Sequence, residues 1–173
     1  MELNDMIQEL FQAAKSGDAL RLQAMLEAHR QLANMENADG LTPLGYAAHF
    51  GNKEAVQILL DYGAEVDAVS HSKVSFIPSN TALHAAIAGE RKLDVIRLLL
   101  DHQANTTIAD SNGHTCLHSA AFHDDNVELL RLLIEHGADV NARVEGGDTA
   151  LSIAVQRGNA SAAELLRQHG AVE

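Results

Sequence analysis

Tryptophan is absent, and aromatic residues are only 3% of the chain, four Phe and two Tyr. A core built on large rings is therefore excluded. The apolar fraction is still 46%, so the interior must be made of Leu, Ala, Val and Ile. Such residues suit slim, closely packed helices better than a β-sandwich, which draws on aromatic and β-branched side chains. Cysteine occurs once, at Cys116, which excludes an intrachain disulfide and fits a reducing compartment. Basic residues are scarce: 12 Lys and Arg stand against 24 Asp and Glu, for a formal net charge of −12. A surface this acidic repels nucleic-acid phosphates and anionic membranes, and steers a basic protein partner inward. No apolar run approaches the roughly 20 residues that span a bilayer; the longest, Val95 to Leu100, is broken by Arg97. The opening Met1-Glu2-Leu3-Asn4-Asp5 has no basic and no apolar leader region. The expectation is a soluble, cytoplasmic monomer with no nucleic-acid or membrane partner. Its 173 residues make one domain or one short repeat array.

What is present is repetition. Thr42, Thr81, Thr115 and Thr149 open equivalent segments, spaced 39, 34 and 34 residues apart. Each has leucine two residues on: Leu44, Leu83, Leu117 and Leu151. Alanines follow, at Ala47-Ala48, Ala85-Ala86, Ala120-Ala121 and Ala154. Next comes a leucine-rich run, for example Leu98-Leu99-Leu100 or Leu132-Leu133-Ile134. The copies close on Gly63-Ala64, Gln103-Ala104, Gly137-Ala138 and Gly170-Ala171.

One copy shows the local physics. Thr42 is placed to cap a short helix, and Pro43 suits its first position, where a missing N–H costs nothing. That helix is expected over roughly 43–50. Gly51-Asn52 turns the chain, and a second helix over about 53–62 carries Val56, Leu59 and Leu60 on one face. Gly63 supplies the positive φ that ends it. A pair this small buries too little alone and must stack on neighbours. Small residues on the first helices and leucines on the second predict a curved stack, with first helices and loop tips on the concave side.

The pattern resembles the ankyrin repeat, with its Asp-Gly-x-Thr-Pro-Leu-His-x-Ala-Ala opening and Gly-Ala-x-Val-Asn-Ala close; 39–68 and 110–142 match best. The resemblance implies an all-α solenoid of helix-turn-helix units with β-hairpin-like finger loops, in one domain over 1–173. Its repeats are an N-terminal cap over 3–37, then 38–69, 70–109, 110–142 and a C-terminal cap over 143–173. Leu10 to Asp18 looks like the first helix and turn of the N-terminal cap, with Leu22, Met25 and Leu26 on its second helix. Gln156, Arg157, Glu164, Arg167 and Gln168 are expected to face outward on the C-terminal one. The copies depart from the pattern in places. The motif histidine, His84 and His118 in two copies, ties neighbouring loops in this family; Gly45 and Ser152 replace it elsewhere, which implies looser stacks there. Gln103 stands where glycine is expected and puts that positive-φ turn in doubt. From Thr to the closing position the count is 22 in the copies at Thr81 and Thr115 and 21 in the other two, which predicts a longer turn between helices. From Gly63 to Thr81 the count is 18, against 12 in the equivalent gaps downstream. Six residues are thus inserted within a finger over 69–80, and they bring Val74, Phe76 and Ile77. Either these fold back as a small apolar cluster, or they present an anchor to a partner.

No phosphate loop, nucleophile elbow or His-Glu-x-x-His motif occurs. His114, Cys116, His118 and His123 are the densest set of metal-ligand types, and zinc takes about four such ligands. The repeat register separates them: His118 is the motif histidine, Cys116 takes the proline slot, His114 sits at a loop tip and His123 at the far end of the helix. No catalytic residue, metal or cofactor is assigned. What remains is the concave surface. By register it carries Leu41, His49 and Phe50, then Asn80 beside the finger. Ser111, His114, Phe122 and His123 follow, then Glu145, Asp148, Gln156 and Arg157. Phe50 and Phe122 either lie against neighbouring helices or stand free as binding anchors. The expected function is non-catalytic binding of a protein through this groove and its fingers. The alternatives are an inhibitor or immunity-type protein that blocks an enzyme, or a histidine-rich metal protein.

Overall fold

The computed structural model describes residues 1–144 and 146–173. Among the described residues the chain is all-α. The elements are α1 (Leu3–Ser16), α2 (Ala19–Ala28), a 3-10 turn (Arg30–Asn34), α3 (Pro43–His49), α4 (Lys53–Asp61), α5 (Ala82–Ala88), α6 (Leu93–Asp101), α7 (Cys116–His123), α8 (Val127–Glu135), α9 (Ala150–Gln156) and α10 (Ala160–Gln168). They fall into two compact units, 1–104 and 105–173. In the first, α1, α3 and α5 pack in one row and α2, α4 and α6 in another. In the second, α7 packs on α9 and α8 on α10.

Each repeat is started by its threonine. Thr42, Thr81, Thr115 and Thr149 are extended, and each hydroxyl accepts the amide three residues on. His118 completes a reciprocal cap, since its Nδ1 accepts the Thr115 amide at 3.1 Å. Its Nε2 then donates to the Asp148 carbonyl at 3.2 Å, tying its repeat to the next finger. In the Ser152 copy the serine takes the histidine's place in the cap, its Oγ accepting the Thr149 amide at 2.9 Å. At Gly45 a Cβ would lie 2.9 Å from the Thr42 hydroxyl and 3.9 Å from the Ala85 Cβ.

The second helices end alike. The amides of Ala64, Ala104, Ala138 and Ala171 each reach back to the carbonyl five residues earlier, at 2.9–3.1 Å. That closure needs a left-handed residue just before it. Gly63, Gly137 and Gly170 supply one, and Gln103 does so as well, at φ 69°. The doubt raised by its missing glycine is resolved: the closing bonds override the preference of one side chain. The extra residues are absorbed in two ways. In the third repeat four residues, 89–92, separate the helices, with Arg91 left-handed at φ 52°. In the fourth repeat the turn stays at three residues and the first helix lengthens instead, from seven residues to eight. The longer turn predicted there is therefore corrected to a longer helix.

Each unit has an aliphatic core of its own. Leu22, Leu26, Leu59, Ile96 and Leu99 in one unit, and Leu117, Leu129, Leu130 and Leu133 in the other, are fully or almost fully buried. Burying each such side chain contributes roughly 1.5–3 kcal/mol. The alanines of the first helices, such as Ala47, Ala86 and Ala121, are equally buried. On the C-terminal repeat Gln156, Arg157, Glu164, Arg167 and Gln168 are all exposed, as a terminal repeat requires.

The finger tips are tight turns closed by pairs such as Asn37 N–H to Leu41 O at 3.0 Å and Asp110 N–H to His114 O at 2.8 Å. One isolated antiparallel bridge, Arg143 with Thr149, completes the hairpin-like character. The inserted finger is fastened differently. Ser70 and Asn80 close its base, and Ser79 Oγ accepts the Ser72 amide at 3.0 Å. The amides of His71 and Lys73 donate to the carbonyls of Gly40 and Asp39, each at 2.9 Å. The extended finger thus leans on the tip of the preceding one. Gly40 makes that possible: it is left-handed at φ 77°, and a Cβ there would overlap the His71 carbonyl.

Two outcomes are expected. Gly40→Ala should cost roughly 2–5 kcal/mol, the sum of a left-handed penalty and a backbone clash. Gly63→Ala, in nearly open space, should cost about 1–2 kcal/mol, and Gln103→Gly should stabilise by about 1 kcal/mol. Denaturant melts of the three variants check this ranking. His118 gives the second. Burial lowers its pKa, and its hydrogen bonds require the neutral ring. A group that the folded state holds less protonated contributes stability fully above its unfolded pKa of about 6.5 and loses it as pH falls. Stability should therefore decline below about pH 6.5, and less steeply in His118→Gln.

Candidate functional surface

With the core committed to aliphatic packing, the surface candidates can be placed one by one. On α3, Tyr46 and Phe50 are one turn apart, so their rings meet on one face. The centroids are 5.1 Å apart and edge to face, and Tyr46 is likewise 5.1 Å from Phe11 of α1. His49 adds its ring at 5.0 Å from Phe50, and the Lys15 ammonium lies 5.3 Å from the Phe50 centroid. Phe50 is therefore half-buried in an aromatic row and takes up both readings: part of the ring packs and part faces out. His49 is exposed beside it. Tyr46, Phe11 and Lys15 escaped the sequence reading, although the i,i+4 spacing of Tyr46 and Phe50 carries the signal.

Phe122 and His123 end α7, with ring centroids 5.4 Å apart. Gln156 ends α9 and Arg157 follows it, with its guanidinium 4.3 Å from the Phe122 centroid. Phe122 remains 45% exposed. These four candidates are brought together at the ends of two adjacent first helices. At the finger side, His114 is partly buried, 5.9 Å from the His118 ring and 3.8 Å from the Asp110 carboxylate. Asp148 gives its carbonyl to His118. Ser111 is exposed. Glu145 lies outside the described residues.

The inserted finger divides its apolar residues. The Ile77 amide bonds to the Val74 carbonyl at 3.0 Å, which makes a tight turn at the tip. Val74 and Ile77 are half-buried, whereas Phe76 stands out at 83% exposure. Asn80 is held at the base by Ser70, and Leu41 by the Asn37 side chain. An open cleft of about 470 Å³ runs along the finger bases, lined by Asn34, Glu36, Thr42, Glu65, Ala68, Val69 and His71. His71 Nδ1 meets a Glu36 carboxylate oxygen at 2.6 Å on its rim. Nothing in the sequence marked this cleft, because it forms between two loops 30 residues apart.

The metal-ligand types do not converge. His118 uses both ring nitrogens internally, and His123 lies at the other end of α7. Among the described residues no three His, Cys, Asp or Glu side chains are grouped to hold an ion. Nor is any helix among them long and apolar enough to cross a membrane.

Comparison with known proteins gives the same architecture. The family described as "Ankyrin repeats (3 copies)" matches residues 10–110, 68–144 and 103–173. An ankyrin repeat protein of fowlpox virus is 37% identical over 75 residues, which is 43% of this chain and 20% of that protein. A rice protein named as an E3 ubiquitin-protein ligase, XBOS33, is 35% identical over 105 residues, 60% of this chain and 19% of its own. Mouse Rabankyrin-5 is 39% identical over 67 residues, 39% of this chain and 5% of its own. The matches thus span a fifth or less of each relative. Capped first helices, left-handed closures and matches that run from residue 10 to the end place this chain in the ankyrin repeat family.

Proposed function

We propose that this chain is a non-catalytic binding module that holds a protein partner on the face built by its first helices and fingers. Ankyrin repeats are in general protein–protein interaction modules, and the relatives share that part with this chain. The observation that carries the reading is Phe76. A phenylalanine 83% exposed on a finger braced by main-chain bonds is an apolar anchor presented without a large ordering cost. The outer part of Phe50 adds to it within the first unit, and Phe122 offers an apolar contact on the second. The partner is basic: the chain carries a net charge of −12, and Glu36 and Glu65 line the cleft at the finger bases, where a Lys or Arg side chain would be received.

The test is capture of a partner from extract of the source cell. Phe76→Ser and Phe122→Ala should leave the melt within about 0.5 kcal/mol of the wild type, as exposed substitutions do. Each should weaken capture by about tenfold or more, the loss of an anchor residue. Association with the captured partner should slow as salt rises. Undiminished recovery by both variants would remove this face from the account. An assay of the captured partner's own activity separates simple binding from inhibition.

A further inference from the structure

Most arginines with an assigned contact have a polar partner. Arg21 pairs with Glu9 and Arg167 with Glu173, while Arg30 and Arg143 donate to the carbonyls of Asp61 and Gly147. Arg157 differs. Among the described residues its guanidinium has no hydrogen bond and no ion pair, and it lies over the Phe122 ring, 4.3 Å from the centroid. As the C-cap of α9 it sits at the negative end of a helix dipole, which favours a cation. A fully solvated arginine would serve that purpose equally well. It would not need to lie on a ring that is itself 45% exposed.

Stacking has a chemical consequence. An exposed arginine already held against a ring has less side-chain freedom to lose when a planar anion docks on it. One acid of the adjoining turn is already engaged elsewhere. Asp125 is committed to α10, where its carboxylate accepts the amides of Ala162 at 2.7 Å and Ser161 at 3.4 Å.

We propose that the Phe122–Arg157 pair is a carboxylate site. It takes an Asp or Glu side chain from the protein partner, and an apolar residue beside that acid covers the open part of the Phe122 ring. The inference rests on the reading of this face as the binding surface and names the chemistry of one point on it. It also refines the partner. On a surface of net charge −12, a carboxylate is disfavoured in general and is best received where a fork-shaped donor meets it. A basic protein carrying one acid next to an apolar side chain therefore fits where a generally acidic one does not. Both side chains are exposed, so the site suits a protruding side chain better than a chain terminus.

The test uses the full chain labelled with ¹⁵N and follows the Arg157 Nε–Hε resonance. The probes are acetyl-Leu-Glu-amide, its neutral counterpart acetyl-Leu-Gln-amide, and acetyl-Ala-Leu with a free terminal carboxylate. The expected result is a saturable shift with the Glu probe in the millimolar range, and binding at least about tenfold weaker for the Gln probe. In Arg157→Lys, which keeps the charge and loses the planar fork, a resonance of Phe122 should report binding about tenfold weaker with an unchanged melt. Equal response to the Glu and Gln probes, no saturable response, or undiminished binding by Arg157→Lys would overturn the site. Tighter binding of the terminal carboxylate would overturn its assignment to a side chain. The titration needs no partner, so its failure is distinguishable from failure of the capture experiment, which reads whether this face binds at all.

Discussion

The array depends on polar side chains of one repeat closing the open helix ends of the next. Asn52 donates to the carbonyls of Ala14 and Lys15 at the end of α1, both at 2.7 Å, and Asn159 does the same for Ala121 at 2.9 Å. At the opposite end of the repeats, Asn34 and Asn141 each bridge a neighbour, donating to Gly63 and Gly170 and accepting from Glu65 and Val172. Helices of seven to nine residues leave a large share of their main-chain groups without an internal partner. A leucine seam alone would leave those groups dry and unpaired. Asparagine suits the task because one side chain both donates and accepts, so a single residue fixes distance and register together.

This division of labour explains where binding residues are tolerated. Adhesion between repeats is carried by the aliphatic seam and by the asparagine and histidine ties. The outer ends of the first helices and the finger tips have little structural duty. Phe76, Phe122 and His49 occupy such positions, whereas His118 does not: its ring is consumed by the Thr115 cap and the Asp148 carbonyl. Ten histidines in one chain thus serve unlike purposes. His102, His136 and His169 each sit four residues after a leucine whose carbonyl their Nδ1 meets at 2.9 Å, finishing a second helix.

Much of the fold was legible because the repeat copies one local code four times. Threonine caps, alanine faces and leucine runs act within a few residues, so spacing alone places them. Two features were misjudged for a shared reason. Gln103 and the added residue of the fourth repeat were weighed by local preference; at Gln103 the closing bonds of its own helix decided the outcome, and in the fourth repeat the residue joined the first helix. The surface was less legible. Phe50 and Phe122 look alike in register, yet one is drawn into a row by Tyr46 and Phe11 while the other is left to Arg157. Which ring is drawn in depends on what the adjacent repeat happens to offer, and that is a matter of side-chain geometry across more than 30 residues of sequence.

The bracing of the inserted loop bears on how this protein can change. Its fastening uses amides at 71 and 73 and small hydroxyls at 70, 72 and 79. Ser75 and Phe76 at the crest carry no such obligation. Residues at that crest are therefore interchangeable as far as folding is concerned, and new selectivity can arise there by single replacements while the scaffold beneath stays as it is.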